Sequence, residues 1–337
     1  MTTPADLALE RAAAVAAPDR RVEPFDLEAR VESDGVVLEG VLGTECVRRA
    51  VRRELDRTPG VGVVRDETVV LEGDGEALTV SRDAVPVRGA PETDAEQVTQ
   101  ALYGAALTGY DREAGWRRVR VSDGYVGWVE REHLERPADE NGGSWTADAV
   151  ITATPATPLE GGHGTPARLQ AGTGCRFEGE SDGVATVAFR TGASARLPTD
   201  AVRSLSEATP AAPVGTGEDV VAVARGFLET PYEWGGMRAD GIDCSGLAWV
   251  SYATLGVVLP RDADQQETVG ADVDRDDLAP GDLLFFPGHV AISLGGSEYV
   301  HAYGDADGVT INSLDPDDDR YVESLDDSLR TTKRLLE

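Results

Sequence analysis

From residue 76 to residue 205 the chain is cut into short apolar runs by turn signals, and this texture constrains the fold more than any other feature. Turns at Arg88-Gly89, Asp111 to Gly115 and Asp123-Gly124 leave room only for short strands. Residues 76–135 therefore read as one small all-β unit. Residues 145–205 read as a second, with ATVAFRTGASARLP where the first has its tryptophan-bearing strands. The stretches ERPADENGGS and SEATPAAPVGTGED have the Pro, Gly, Ser and acidic content of linkers.

On either side of this β-rich middle the pattern changes. Residues 22–72 read strand, strand, helix, strand. Phe25, Leu27, Ala29 and Val31 alternate with charged residues, Ser33-Asp34-Gly35 supplies a turn, and Thr44 can cap a helix carrying Val47, Ala50, Val51 and Leu55. This order resembles the small bacterial BON domain, a lipid- or surface-binding module; it holds no catalytic chemistry, and a structural role is expected ahead of a binding one. After residue 218, EDVVAVARGFLE has helical spacing and PYEWGGMRADGIDCSG reads as a loop. Leu247, Val250, Ser251 and Leu255 predict an amphipathic helix running to Gly256. GDLLFF, HVAISL and EYVHAY then predict three consecutive strands. The class is α+β, and a chain of 337 residues is expected to divide into several domains, here 1–74, 75–138, 139–208 and 209–337.

Acidic residues number 61 against 31 basic, a formal charge of −30, and Lys333 is the single lysine. Such a field repels nucleic acid and anionic membranes. The balance resembles that of proteins from cytoplasms that accumulate molar salt; an acidic protein of an ordinary cytoplasm is the plainer alternative. No apolar run is long enough for a membrane span, and the first 25 residues show no basic leader followed by an apolar core, so no secretory signal is expected. Cys46, Cys175 and Cys244 are odd in number and far apart, unlike a disulfide framework. Reduced thiols, a cytoplasmic location and a monomer are the expectations.

GIDCSGLAWV, residues 241–250, sets a thiol between Asp243 and Ser245 at the start of a predicted helix. There it would face unpaired N–H groups and the positive end of the helix dipole, which favour thiolate and can hold an oxyanion. The base must come from four histidines. His133 in REHLER and His163 in GGHGTP read as solvated surface residues. His289 and His301 lie on adjacent predicted strands. A two-residue turn at Gly295-Gly296 would point their rings to opposite faces. A three-residue loop, Gly295 to Ser297, would set His301 opposite Ala291 and both rings on one face, with Val290, Ile292 and Leu294 on the buried side. That second register lets His301 orient His289. Cys46, on the apolar face of a predicted helix, and Cys175, in a barrel strand, read as packing residues. Cys244, His289 and His301 could supply three zinc ligands but lack the short ligand pair of such sites. No metal or organic cofactor is expected.

PYEWGG, GIDCSGLAWVSY, LPRDADQQ, PGDLLFF, HVAISLGG and YVHA follow one another within residues 218–337. Together they resemble the NlpC-type family of papain-fold cysteine peptidases. GWRRVRVSDGYVGWV resembles the end of bacterial SH3-like barrels. The resemblance implies a papain-like catalytic domain behind two small SH3-like β-barrels and an α/β N-terminal domain. It implies Cys244 as nucleophile, His289 as base, His301 as the orienting group and Tyr232 near the thiol. Such enzymes hydrolyse the γ-D-glutamyl bond of bacterial wall peptides. The paired barrels, LPRD and INSLDP (311–316) are similar to the murein-peptide-recycling branch, in which the first barrel leans over the site and the substrate presents a free amino terminus. Asp243 and Ser245 would hold that amine with Tyr125 and Glu96 of the barrel, Glu92 being the poorer match for the acid. Arg261 and Asp262 would shape the substrate side. A peptide-binding protein that keeps the fold without cutting is the alternative; it would show a lost nucleophile or base, and neither is lost. Segment 22–72 has no expected counterpart in this branch.

Overall fold

The computed structural model describes residues 2–32, 35–61, 63–73, 75–138, 145–208 and 213–336. Ser33 and Asp34 of the predicted turn, and parts of both predicted linkers, lie outside the described residues. The N-terminal strands form a three-stranded sheet: Phe25–Glu32 pairs antiparallel with Gly35–Leu42, which pairs parallel with Val63–Val70. The helix Glu45–Asp56 starts at Thr44, whose hydroxyl accepts from the Val47 amide, and buries Val47, Val51 and Leu55. A first helix, Pro4–Ala16, is absent from the sequence expectation. It opens on a reciprocal Thr3–Asp6 capping box with Pro4 in its first turn, and its small-residue face of Ala5, Ala8, Ala12 and Ala13 packs into the same core.

The middle of the chain is all-β as expected. Residues 76–135 form a seven-stranded sheet in the order Leu134–Glu135, Glu76–Val80, Ala106–Glu113, Trp116–Arg120, Val126–Glu130, Ala84–Arg88, Gln97–Leu102. Residues 149–204 form a six-stranded antiparallel sheet. The two units share packing, because Tyr103 leaves the first and is buried among Ile151, Leu169 and Phe189 of the second. Its hydroxyl lies 2.7 Å from that of Thr191. The first unit also grips the C-terminal domain: Gln100 Oε1 accepts from the Met237 amide at 2.9 Å and Gln97 Nε2 donates to the Trp234 carbonyl at 2.8 Å.

In the C-terminal domain, Thr216 and Asp219 cap the helix Gly217–Arg225. The next helix, Cys244–Ala253, differs from expectation. All ten of its residues are buried, so it is a central helix with no solvent face. One side meets Val290, Ile292 and Val300 of the sheet; the surrounding core takes in Val220, Ala224 and Leu102. The predicted strands are Pro280–Phe286, His289–Gly295 and Glu298–Tyr303, within a six-stranded antiparallel sheet completed by Gly308–Ser313 on one side and Thr331–Arg334 and Ala271–Asp272 on the other. Ile292 faces Val300, the register that sets His301 against Ala291. The turn reaches that register by another route. Gly295, not Leu294, pairs with Glu298, and the extra residue sits as an irregularity between Ser293 and Gly295.

Candidate active site

Asp243 ends the loop and caps the helix, accepting from the Gly246 amide at 2.6 Å. The same carboxylate accepts from the Gly235 amide (2.7 Å), the Ser245 hydroxyl (3.2 Å) and both Nη atoms of Arg261 (2.7 and 3.1 Å). Arg261 is 1 % exposed; its Nε reaches back to Thr99 of the first barrel at 2.7 Å and its Nη1 also donates to Ser245 Oγ at 2.8 Å. Five donors already meet the two oxygens of Asp243, so it anchors this loop, and the amine-binding role expected of it would rest on its charge at the cavity wall. Arg261 likewise stands behind the site, holding the loop, and does not face the substrate side.

Cys244 follows, 7 % exposed, with the amides of Val290 and Ser245 directed at its sulfur. Burial, aided by the Asp243 charge, pushes its thiol up to about 12 despite those amides. Burial therefore opposes the lowering expected from the helix terminus, while the amides of Val290 and Ser245 act in its favour. The histidines shift the other way. Burial and then His301 bring His289 down to about 3, and burial brings His301 down to about 4 against the opposing bond from Asn312. Burial thus favours the neutral form of all three groups.

The tautomers follow from one fixed acceptor. The Arg320 carbonyl can only accept, so Asn312 turns its Nδ2 to it at 2.8 Å and its Oδ1 to His301. His301 Nε2, 2.9 Å from that oxygen, must carry the proton. Its Nδ1 is then a lone pair, which receives the Nε2–H of His289 at 2.8 Å. The remaining nitrogen of His289, Nδ1, is left as the unprotonated base. Aromatic rings fix the pair in place. Tyr303 stacks on His301 at 4.9 Å and 13°, and Tyr299 meets its edge at 5.1 Å. Both His301 nitrogens are spent in this relay, so it has none for a metal.

A cavity of about 320 Å³ joins most of the expected residues: Glu96 and Tyr125 of the barrel, Tyr232, and Asp243, Cys244, Ser245 and Asp262. Glu96 accepts from the Trp234 indole at 2.9 Å. Burial followed by Cys244 pushes the Tyr232 phenol up to about 12, in keeping with its place beside the thiol. Glu92 is exposed and does not line this cavity. Nor does His163, which is exposed, or His133, which sits 3.5 Å from Glu130. Cys175 is buried as expected, whereas Cys46 is exposed: it precedes Val47 on the helix and so falls off the apolar face. Sequence reasoning misses two residues. Asn312 could have been found, since strand alternation places it diagonal to His301 on the neighbouring strand, where Thr310 is the direct partner. Arg21, which lines the cavity from the N-terminal segment, has no local signal.

Residues 229–323 match the NlpC/P60 family, and residues 87–134 match the bacterial dipeptidyl-peptidase SH3 domain. The chain carries an NlpC/P60 domain. Cys244, His289, His301 and Asn312 all fall within this NlpC/P60 match, and Glu96 and Tyr125 within the SH3 match. Dipeptidyl-peptidase 6 of Lysinibacillus sphaericus is 45% identical over 109 residues, 32% of this chain and 40% of that one. The gamma-D-glutamyl-L-lysine dipeptidyl-peptidase of Bacillus subtilis is 29% identical over 227 residues, 62% of this chain and 73% of that one. The chain thus spans less than half of the first relative's length and about three quarters of the second's. The crystal structure of an NlpC/P60 family protein from Bacillus cereus superposes with a TM-score of 0.66 at 20% identity, over 78% of this chain and the whole of that one, which establishes the shared fold.

Proposed function

We propose that this protein is a cysteine peptidase that hydrolyses the γ-D-glutamyl amide of short murein-type peptides with a free amino terminus, releasing a dipeptide. The observation that carries the reading is the relay Asn312–His301–His289, which leaves an unprotonated imidazole nitrogen as base in the unit whose thiol, Cys244, opens into a cavity of about 320 Å³. In the acylation step the Cys244 proton passes to His289 Nδ1 as sulfur bonds to the carbonyl carbon. The amide C–N bond then breaks and the leaving amine takes that proton. Water, giving its proton to the same nitrogen, cleaves the thioester and restores the thiol. His301 shares the transient imidazolium charge through its Nδ1 lone pair. Glu96 and the Tyr125 hydroxyl supply the substrate ammonium's partners together with Asp243 and Ser245, and Asp262 adds its charge beside them.

The relatives named as dipeptidyl-peptidases support this substrate class. L-Ala-γ-D-Glu-L-Lys and its N-acetyl form, assayed by mass spectrometry, test it. The free peptide should release L-Ala-γ-D-Glu, and acetylation should lower kcat/KM by on the order of 10²-fold, because a desolvated acidic pocket loses its charged partner. Cys244→Ala and His289→Ala should each abolish turnover. Equal cleavage of both peptides would remove the amine pocket, and no cleavage of either would remove the assignment.

A further inference from the structure

The segment Pro18–Val22, which joins the N-terminal domain to the rest, enters the neighbourhood of the cavity and carries Arg21 into its wall. Backbone bonds hold it there. The Val126 amide donates to the Arg21 carbonyl at 2.7 Å and Arg120 Nη1 to the Val22 carbonyl at 2.7 Å, while Gln265 Nε2 reaches Asp19 at 2.6 Å. The Arg21 guanidinium then uses all five of its N–H groups. It forms a two-pronged pair with Asp19 (2.9 and 2.8 Å), a second with Asp264 (2.8 and 2.8 Å), and one bond to Asp262 at 2.8 Å. Arg21 holds the Asp19 carboxyl down at about 2. A planar group fixed on three sides is a wall with a defined position.

Arg21 also lines a second, outer cleft of about 740 Å³, with Pro18, Asp123, Pro260 and Thr268 among others. Arg21 and Asp264 are the residues common to the linings of the two spaces. The cavity that holds Cys244 and the outer cleft therefore adjoin at this ion pair. We infer that Arg21 is a specificity-determining residue: its pair with Asp264 partitions the two spaces and excludes peptides that continue past the residue bearing the amine. This rests on the peptidase reading above and adds a role for the N-terminal segment, which closes the site of a domain more than 200 residues away in sequence.

The test compares L-Ala-γ-D-Glu-L-Lys with Gly-L-Ala-γ-D-Glu-L-Lys in the wild-type full chain, in Arg21→Ala and in Asp264→Asn. Wild type should cut the tripeptide and disfavour the glycyl-extended one. Arg21→Ala should narrow the ratio of the two kcat/KM values at least tenfold, through a gain on the extended peptide, a size of effect within reach of a local steric change. A ratio of rates on two peptides is insensitive to a general loss of folded enzyme. Because Arg21 also anchors its own segment, Asp264→Asn weakens the partition from the catalytic side and should shift the ratio in the same direction. An unchanged ratio in whichever variant still cuts the tripeptide overturns the inference and leaves the proposed function standing. Failure of wild type to cut the tripeptide overturns the function, and the inference with it.

Discussion

At Cys244 and His289 one cause produces two opposite shifts. Burial disfavours charge of either sign, so it raises the acid, lowers the base and favours thiol and imidazole as the resting pair. With a resting thiol, the thiolate forms as the proton moves to His289, and the amides of Val290 and Ser245 act on charge that develops during attack. This has a consequence for labelling. Iodoacetamide near pH 7 should modify exposed Cys46 before buried Cys244, and activity should survive the first equivalent of label. A nucleophilic cysteine would ordinarily be expected to react first. Peptide mapping that finds Cys244 modified ahead of Cys46 would establish a resting thiolate–imidazolium pair and sink the neutral one.

At the level of elements, what could be read in the sequence was what depends on neighbours along the chain. The Thr44 cap, the helix start at Cys244, the strands around His289 and His301, and their shared face all follow from spacing and alternation. The turn at Gly295 kept the register yet moved the extra residue, because a bulge and a longer loop shift a strand equally and side-chain alternation cannot distinguish them. The helix Cys244–Ala253 escaped its predicted amphipathic pattern since the barrel covers the side that a lone domain would leave wet; Leu102 packs in its core. Arg21 escaped because Asp262 and Asp264, which it pairs with, lie in another domain, and the inward direction of Arg261 escaped because Thr99 of the barrel helps to hold it. Arg261 is the more consequential for stability. It joins the Asp243 loop, Ser245 and Thr99 of the barrel in one buried cluster. Arg261→Met should cost about 3–5 kcal/mol by leaving the Asp243 carboxylate buried without its cation. Adding Asp243→Asn should recover part of that loss, since no unpaired charge then remains. Chemical denaturation followed in the three proteins checks this, and a single substitution costing under about 1 kcal/mol would show the pair to be weakly coupled.

Over the whole molecule, 61 acidic groups face 31 basic ones. Even complete pairing would leave 30 carboxylates without a cation, so like charges repel across the surface whatever the local geometry. Some pairing is dense: Glu76 alone receives Arg112, Arg117 and Arg136. Salt acts on these terms unequally. The screening length is about 10 Å at 0.1 M and about 3 Å at 1 M, which removes most surface repulsion. Exposed pairs such as Arg30–Glu39 are also weakened, yet they contribute little to begin with. The Arg261–Asp243 pair, with side chains 1% and 7% exposed, is sheltered from the electrolyte. The balance favours the folded state, so the thermal midpoint should rise as KCl increases from 0.1 M towards several molar. A flat or falling midpoint would remove the halophilic reading of the composition. Salt can also strengthen burial of apolar surface, and a second protein separates the two causes. Glu10, Glu113, Glu178 and Glu180 are exposed, and replacing them together by Gln removes four negative charges without touching a core. If repulsion is what salt relieves, this variant should start with a higher midpoint at 0.1 M KCl and gain less from added salt. A slope identical to wild type would assign the effect to apolar burial.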